Sequence, residues 1–466
     1  MPARECRRPA RKDIEMSNTR IEPRTLPGFM ELLPEKQQIF EKIKSVLEEV
    51  YRLYGFAPLD TPVLEYSEIL LAKAGGETEK QIYRFNKGDT DLTMRFDLTV
   101  PLAKYVAQHA PDLTFPFRRY QIGKVYRGER AQRGRFREFY QADIDIVGDG
   151  KLSIYYDAEI PSIIYQILTR LGIGEFVIRI NNRKVLGGFF DMMGAKERTT
   201  DILRTVDKID KMGREKVVEE LKEQGLSKDA CDRIIDFVGF RGSNEEVMAK
   251  LEGLSGQNEQ FDAGVSELKS VLSAVRAFGV PEDHFSIDLS IARGLDYYTG
   301  TVYETTLIRH PEIGSICSGG RYDNLAGYYT NRSLPGVGMS IGLTRLFFIL
   351  NDMNYLSDAY RAPEDVLIIP MTQEITDAIS LSSKLREEGI RTQIYLEEGK
   401  FKAKMHYADR LAVPFVLFLG EDEIRENALS LKDMQTGNQV KCTISEAIVE
   451  IRKKIAESEK QTPVHM

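Results

Sequence analysis

Residues 117–148 read FRRYQIGKVYRGERAQRGRFREFYQADIDIVG. Two parts of this stretch, FRRYQIGKVYR and FREFYQADIDIVG, alternate in polarity and are rich in aromatic and β-branched residues, which predicts two strands. The polar, glycine-containing GERAQRGR between them predicts the hairpin loop. From Arg118 to Arg137 there are eight basic residues (Arg118, Arg119, Lys124, Arg127, Arg130, Arg133, Arg135, Arg137) and one acid, Glu129. The hairpin is thus +7 in a chain whose net charge is −7. It is either a solvated charged hairpin or a phosphate site. Its arginines alternate with Tyr120, Tyr126, Phe136 and Phe139, and Asp143 and Asp145 follow directly. Guanidinium groups grip phosphates in bidentate fashion and aromatic rings stack on purines, so the spacing favours a phosphate or nucleotide site.

Upstream, Ile39, Phe40, Ile43, Val46, Leu47, Val50, Tyr51 and Tyr54 recur at three- and four-residue steps, which predicts a helix over 35–54. FAPLDTPVLEYSEIL (56–70) reads as an extended stretch whose two prolines suit a sheet edge or an interface. Downstream, 152–171 has a helical pattern. Residues 185–280 turn rich in Lys, Glu, Asp and Leu and predict a helical insertion. Strand and turn chemistry returns over 285–345, and YLSDAYRAPED (355–365) is a linker candidate. DVLIIPM, TQIYLE and PFVLFLG are short strands separated by helical patterns at 375–388 and 402–412, the alternation of a small α/β domain.

The chain has 466 residues, 42% hydrophobic and 29% charged, which excludes a mostly disordered protein. The acidic balance argues against a generally basic nucleic-acid coat without excluding a local basic patch. Cys6, Cys231, Cys317 and Cys442 form no C-x-x-C and no close pair, so neither a disulfide framework nor a zinc site is expected. The five histidines are scattered, and no metal site is expected from protein residues. No apolar run reaches the ~18–20 residues that span a bilayer. Residues 1–24 carry seven Lys/Arg and four Asp/Glu and no apolar signal core, so neither a secretory signal nor an import peptide is expected and a cytoplasmic protein is.

Three further segments carry polar chemistry. In PGVGMSIGLTRLFFIL (335–350), glycines 336, 338 and 342 precede a helical run with Arg345 one turn in. Such a turn lets backbone approach a ligand closely and puts a helix N-terminus near anions, although a plain strand-to-helix turn reads the same way. LSIARGLDYYTGTVYE (289–304) crowds Arg293, Asp296, Tyr297 and Tyr298 beside a strand-like TVYE. Two adjacent tyrosines on a strand would point to opposite faces, with at least one of them lining a core or pocket. SICSGGRYDNLAG (315–327) reads as a small-residue turn or tight hairpin.

Together these segments resemble the histidyl-tRNA synthetases, a class II aminoacyl-tRNA synthetase family. FAPLDTPVLEYSEIL is similar to motif 1, with Pro62 at its proline; YRGERAQRGRFREF is similar to motif 2 and GVGMSIGLTRLF to motif 3. ARGLDYYTG and SGGRYDNL resemble the two histidine-specific signatures. The wording DLTVP and QADIDIVG resembles the archaeal and eukaryotic branch more than the usual bacterial one. The resemblance implies an α+β fold: an antiparallel sheet flanked by helices, with a helical insertion and a C-terminal α/β anticodon-binding domain. The implied organisation is a disordered extension over 1–24, a catalytic domain over 25–350 with the insertion at about 185–280, a linker at 351–363, an anticodon-binding domain at 364–457 and a tail at 458–466. It also implies a homodimer joined through motif 1.

The implied activity is ATP-dependent conversion of L-histidine to histidyl-adenylate, then transfer to the 3′-terminal adenosine of tRNA-His. Asp97, Thr99 and Gln141 would hold the α-ammonium. Asp145 and Tyr298 would bind the imidazole, with Tyr297 and Tyr322 shaping the pocket. Arg127 would contact the α-phosphate and the histidine carboxylate. Glu129 would read the adenine amino group, Phe139 would stack on the base, and Arg135 and Arg345 would hold phosphates. Arg293 would be the catalytic arginine beside the α-phosphate. Mg²⁺ would accompany the pyrophosphate. Arg130, Gln132 and Arg133 would meet the tRNA acceptor stem, and Lys400, Lys402 and Lys404 are candidates at the anticodon. Asp143 and Asp296 are expected either to support the site residues from behind or to be structural. The alternative is a non-catalytic regulatory or binding paralogue that keeps the histidine pocket but loses ATP-site arginines or the C-terminal domain.

Overall fold

The computed structural model describes residues 20–72, 80–130, 134–206, 209–291, 297–353, 355–356 and 362–461. The expected N-terminal extension up to residue 19, the loop residues Gln132 and Arg133, and Arg293 with Asp296 lie outside these described residues.

In chain order the strands are β1 (Ala57–Pro58), β2 (Leu64–Tyr66), β3 (Arg84–Lys87), β4 (Thr90–Met94), β5 (Phe117–Tyr126), β6 (Glu138–Val147), β7 (Phe176–Asn182), β8 (Phe285–Ile287), β9 (Thr301–Leu307), β10 (Cys317–Tyr322), β11 (Gly336–Ile341), β12 (Val366–Pro370), β13 (Thr392–Ile394), β14 (Phe415–Leu419), β15 (Leu429–Asp433) and β16 (Gln439–Cys442). The main sheet runs β1-β5-β6-β11-β10-β9-β7-β8. It is antiparallel except at its two edges, where β1 pairs parallel to β5 and β8 parallel to β7. A small sheet runs β2-β4-β3, and the C-terminal sheet runs β13-β12-β14-β15-β16.

The period-two pattern of β6 explains how the main sheet is used. Ala142, Ile144 and Ile146 are fully buried on one face, in the same core as Ile39, Phe40, Ile43 and Leu47 of the helix Pro34–Leu53 and Ile160, Ile163 and Ile167 of the helix Tyr155–Arg170. The alternate residues Gln141, Asp143 and Asp145 are also buried but line a cavity on the other face. The predicted helical stretch forms, and it is not a separate body. Its first and last long helices, Arg183–Met192 and Glu259–Ala277, share the core of the main sheet. The intervening helices join that core through contacts such as Phe189 on Phe237, stacked at 3.8 Å.

Three local readings are corrected and one is extended. SICSGGRYDNLAG is no turn: Cys317–Tyr322 is strand β10 inside the main sheet, where Gly320 makes room for a neighbour. A Cβ on Gly320 would stand 2.7 Å from the Thr301 carbonyl oxygen and 2.9 Å from the Tyr298 ring. Small residues here serve tight packing across strands, which looks the same in sequence as turn chemistry. Tyr297 and Tyr298 precede β9 rather than lie in it, and their rings meet edge to face at 5.0 Å. Ser67–Leu71, read as extended, is a short helix. Finally, the C-terminal domain continues past its β-α-β part into the antiparallel pair β15–β16.

Candidate active site

A cavity of about 390 Å³ opens where β6, β10 and β11 meet the loops after β5 and before β9. At its inner end stand Asp97, Thr99, Asp143, Asp145, Tyr297 and Tyr298; toward its mouth stand Glu129, Arg135, Phe136, Phe139 and Arg345; Arg127 and Gln141 lie between. The close approach of β11 is what lets the inner end form. Gly338 pairs with Asp145, and a Cβ there would lie 2.3 Å from Asp145 Oδ1.

The inner carboxylates are held in different ways. Asp97 Oδ1 accepts from the backbone N–H groups of Thr99 (3.1 Å) and Val100 (2.9 Å) at the start of the helix Thr99–His109. Burial raises its pKa, while the Val100 N–H and Arg127 oppose the rise. Asp145 pairs with Arg119 at 2.6 Å and accepts from the Tyr322 hydroxyl at 2.8 Å. Burial nevertheless pushes it up to about 6. Burial pushes Asp143 up to about 7 against the pull of Arg119. Burial, reinforced by Asp145, keeps the Tyr298 hydroxyl protonated, so it is a donor at neutral pH.

Arg127 lies with its guanidinium 4.4 Å from the Phe96 ring centre and 5.1 Å from that of Phe139, and its Nε donates to the Phe96 carbonyl at 3.3 Å. Burial pulls its pKa down while Asp97 and Glu129 hold it up. At the mouth, Arg135 sits 3.8 Å from Glu129, and Arg345 donates to the Ile313 carbonyl oxygen. Burial, then the neighbouring Arg135, lowers the pKa of Arg345, as expected for two cations held close together.

The cavity thus brings together Asp97, Thr99, Arg127, Glu129, Arg135, Phe139, Gln141, Asp145, Tyr297, Tyr298 and Arg345 from the sequence reading. Tyr322 stands behind the wall, its hydroxyl on Asp145. Arg130 is exposed outside the cavity. Arg293, Gln132 and Arg133 lie outside the described residues.

The hairpin is not the open basic patch that its arithmetic implies. Arg118 makes a bidentate pair with Glu159 (2.9 and 3.0 Å), Lys124 pairs with Glu138 (2.8 Å), and Arg137 donates to the Glu129 carbonyl (3.0 Å). Arg119 is fully buried. Of the candidate anticodon lysines, Lys404 turns inward to the Pro370 carbonyl at 3.0 Å, whereas Lys400 and Lys402 are exposed.

Sequence reasoning missed Asp143 as a lining residue, and also Ser340, Cys317 and Gln81. For Asp143 a signal existed, because it shares a strand face with Gln141 and Asp145. Among the described residues, no group of three His, Cys, Asp or Glu side chains is placed to hold a metal ion, and no helix is long and apolar enough to cross a membrane.

Residues 28–346 match the family model described as histidyl-tRNA synthetase, and residues 365–454 match that of an anticodon binding domain. The chain is 55% identical to a histidine–tRNA ligase of Clostridium tetani over 92% of this chain and 98% of that protein. It is 48% identical to one of Finegoldia magna, over 93% of this chain and 100% of that protein. The crystal structure of a histidyl-tRNA synthetase from Nostoc sp. PCC 7120 superposes with a TM-score of 0.85 at 42% identity, covering 93% of this chain and 100% of that one.

Proposed function

The chain belongs to the histidyl-tRNA synthetase family, and from that membership we propose that it activates L-histidine with ATP and transfers the histidyl group to tRNA-His. The observation that carries the reading is the cavity itself. One buried end offers carboxylates and a tyrosine donor, and the other offers arginines and an aromatic ring.

The inner end fits histidine. Asp97 and Gln141 accept from the α-ammonium. Asp145 accepts from one imidazole N–H, and Tyr298 donates to the other ring nitrogen. A side chain that cannot satisfy both leaves buried polar groups unpaired, which gives strong discrimination. Toward the mouth, Phe139 stacks on adenine, Glu129 reads its amino group, and Arg135 and Arg345 hold phosphates.

Arg127 bridges the two ends. An oxygen of the histidine carboxylate attacks the α-phosphorus, the bond to the pyrophosphate oxygen breaks, and pyrophosphate leaves. The carboxylate is already ionised, so no base is needed. Negative charge grows on the nonbridging oxygens, and a guanidinium fixed between two rings stabilises it without reorganising. By the resemblance, Arg293 adds a second guanidinium there. In the second step a ribose hydroxyl of the terminal adenosine attacks the carbonyl carbon, its proton passes to the phosphate of the adenylate, the acyl–phosphate bond breaks and AMP leaves. Mg²⁺, which is usually held by one or two carboxylates together with substrate phosphates and water, would neutralise the charge of the pyrophosphate.

The C-terminal domain meets the anticodon, while Arg130, Gln132 and Arg133 meet the acceptor stem. A homodimer forms through residues 56–70, a reading supported by the exposed Leu64 and Tyr66 of β2 and Phe85 of β3 on the small sheet. The location is cytoplasmic. Arg127 and Arg345 in the cavity, and a matched anticodon-binding domain, weigh against a non-catalytic paralogue.

Histidine-dependent exchange of pyrophosphate into ATP tests the reading. Exchange is expected with histidine alone among the amino acids. Folded protein that shows none would overturn it.

A further inference from the structure

Gln141 is buried, lines the cavity, and leaves its Oε1 atom without a hydrogen-bond partner among the described residues. Its Nε2 donates to the Ser340 hydroxyl at 2.8 Å. Ser340 is the direct cross-strand partner of Asp143, so its hydroxyl stands beside the Asp143 carboxylate and favours its charged form. A serine hydroxyl has one proton. When Asp143 is ionised, above about pH 7, that proton goes to its carboxylate and the serine oxygen can only accept from Gln141. The amide must then present its NH₂ to Ser340 and its carbonyl oxygen elsewhere, which is into the cavity. Reversed, the amide would set its oxygen against the serine oxygen with no proton between them.

We propose that Asp143 and Ser340 are positioning residues that lock the Gln141 amide with its oxygen toward the cavity, where it accepts from the α-ammonium of the bound amino acid. The inference rests on the reading of the cavity as a histidine site. Neither Asp143 nor Ser340 needs to touch histidine. Their part is the direction of one dipole. Without the lock the amide turns, and half of its orientations set an NH₂ against a cation.

Ser340→Ala removes the single proton that fixes the chain. The Michaelis constant for histidine is expected to rise about tenfold while that for ATP stays within about twofold. Binding of 3-(imidazol-4-yl)propionate, which has the ring and carboxylate but no ammonium, is expected to change by less than about twofold. Ser340→Thr, which keeps the hydroxyl, restores the histidine constant. Gln141→Ala combined with Ser340→Ala should lose little more than Gln141→Ala alone, because both changes remove one interaction.

An unchanged histidine constant in a folded Ser340→Ala variant would overturn the lock. So would additive losses in the double variant, or an equal loss for the analogue without the ammonium. The underlying histidine reading fails by a different result, the absence of histidine-dependent exchange in the unaltered chain, and the lock would fall with it.

Discussion

Two buried arginine–aspartate pairs hold the main sheet, and they differ in how much hydrogen-bonding capacity they leave over. Arg321 of β10 gives Asp157 three hydrogen bonds at 2.6–3.1 Å and sends its remaining reach to the Leu152 and Ser153 carbonyls. Arg119 of β5 bonds Asp145 at 2.6 Å and the Leu98 carbonyl at 3.2 Å, and leaves Nε and Nη1 without a partner among the described residues. The first pair clamps the helix Tyr155–Arg170 to the sheet. The second faces the cavity, where Asp143 Oδ1 and Gln141 Oε1 are likewise unmatched. The lesson is that a buried ion pair by itself says nothing about function. Unmet polar capacity beside a cavity does, because a fold tolerates it where a ligand completes it.

The sharpest way to break this contrast is Asp157→Ala. It leaves the buried Arg321 with two carbonyls and only the more distant Asp323 at 4.0 Å, and is expected to cost about 3–5 kcal/mol in urea unfolding, with little change in the histidine Michaelis constant of protein that remains folded. A loss under about 1 kcal/mol would erase the distinction. Asp145→Asn is expected to do the opposite. Exchange should fall about a hundredfold, some 3 kcal/mol, while stability moves little because Asp143 and Asp97 also face Arg119. A variant that melts much earlier would make Asp145 another clamp.

The smallest effect is the pH dependence of the unliganded chain. Asp143 (about 7) and Asp145 (about 6) both sit above their ordinary 3.8. The folded chain therefore binds more protons than the unfolded one between these values, and stability contributed by the two groups is full below about pH 4 and lost as pH rises through 6 and 7. Arg119, Asp97, Tyr51 and Cys317 face the same spot, with Ser340 as a hydroxyl partner. Asp143→Asn should flatten this slope and stabilise the apo chain at pH 8 by on the order of 2 kcal/mol in paired denaturation curves. An unchanged slope would exclude Asp143 as its source.

Much of the fold was legible because it rests on local pattern. The helix Pro34–Leu53 follows a three-to-four-residue period and the β5–β6 hairpin a period of two, while β12 and β14 are short unbroken apolar runs buried throughout. The cavity was legible where the motifs named its residues. The charge of the hairpin misled for a physical reason: its partners are far away in sequence. Glu159 lies 41 residues from Arg118, and no count along the chain pairs them. Arg119 read as one basic residue among eight, yet it is fully buried beneath the site. Ser340 was hidden inside a glycine pattern, because its role depends on the residue directly across the ladder, and register is a tertiary fact.

The pairing of β6 with β11 also bears on how the molecule comes into being. Gln141 and Ser340 are 199 residues apart, and the helical stretch lies between them. At ribosomal speeds of roughly 5–20 residues per second, β6 waits about 10–40 seconds for its neighbour to be made. During that interval one long edge of the β5–β6 hairpin, with Ala142, Ile144 and Ile146 on its apolar side, has no strand beside it. Sheets closed by such distant pairings form slowly and expose sticky edges while they wait. The cavity is therefore the last part of the main sheet to be completed, and a nascent chain stalled before β11 would carry Asp143 and Asp145 with no cavity to put them in.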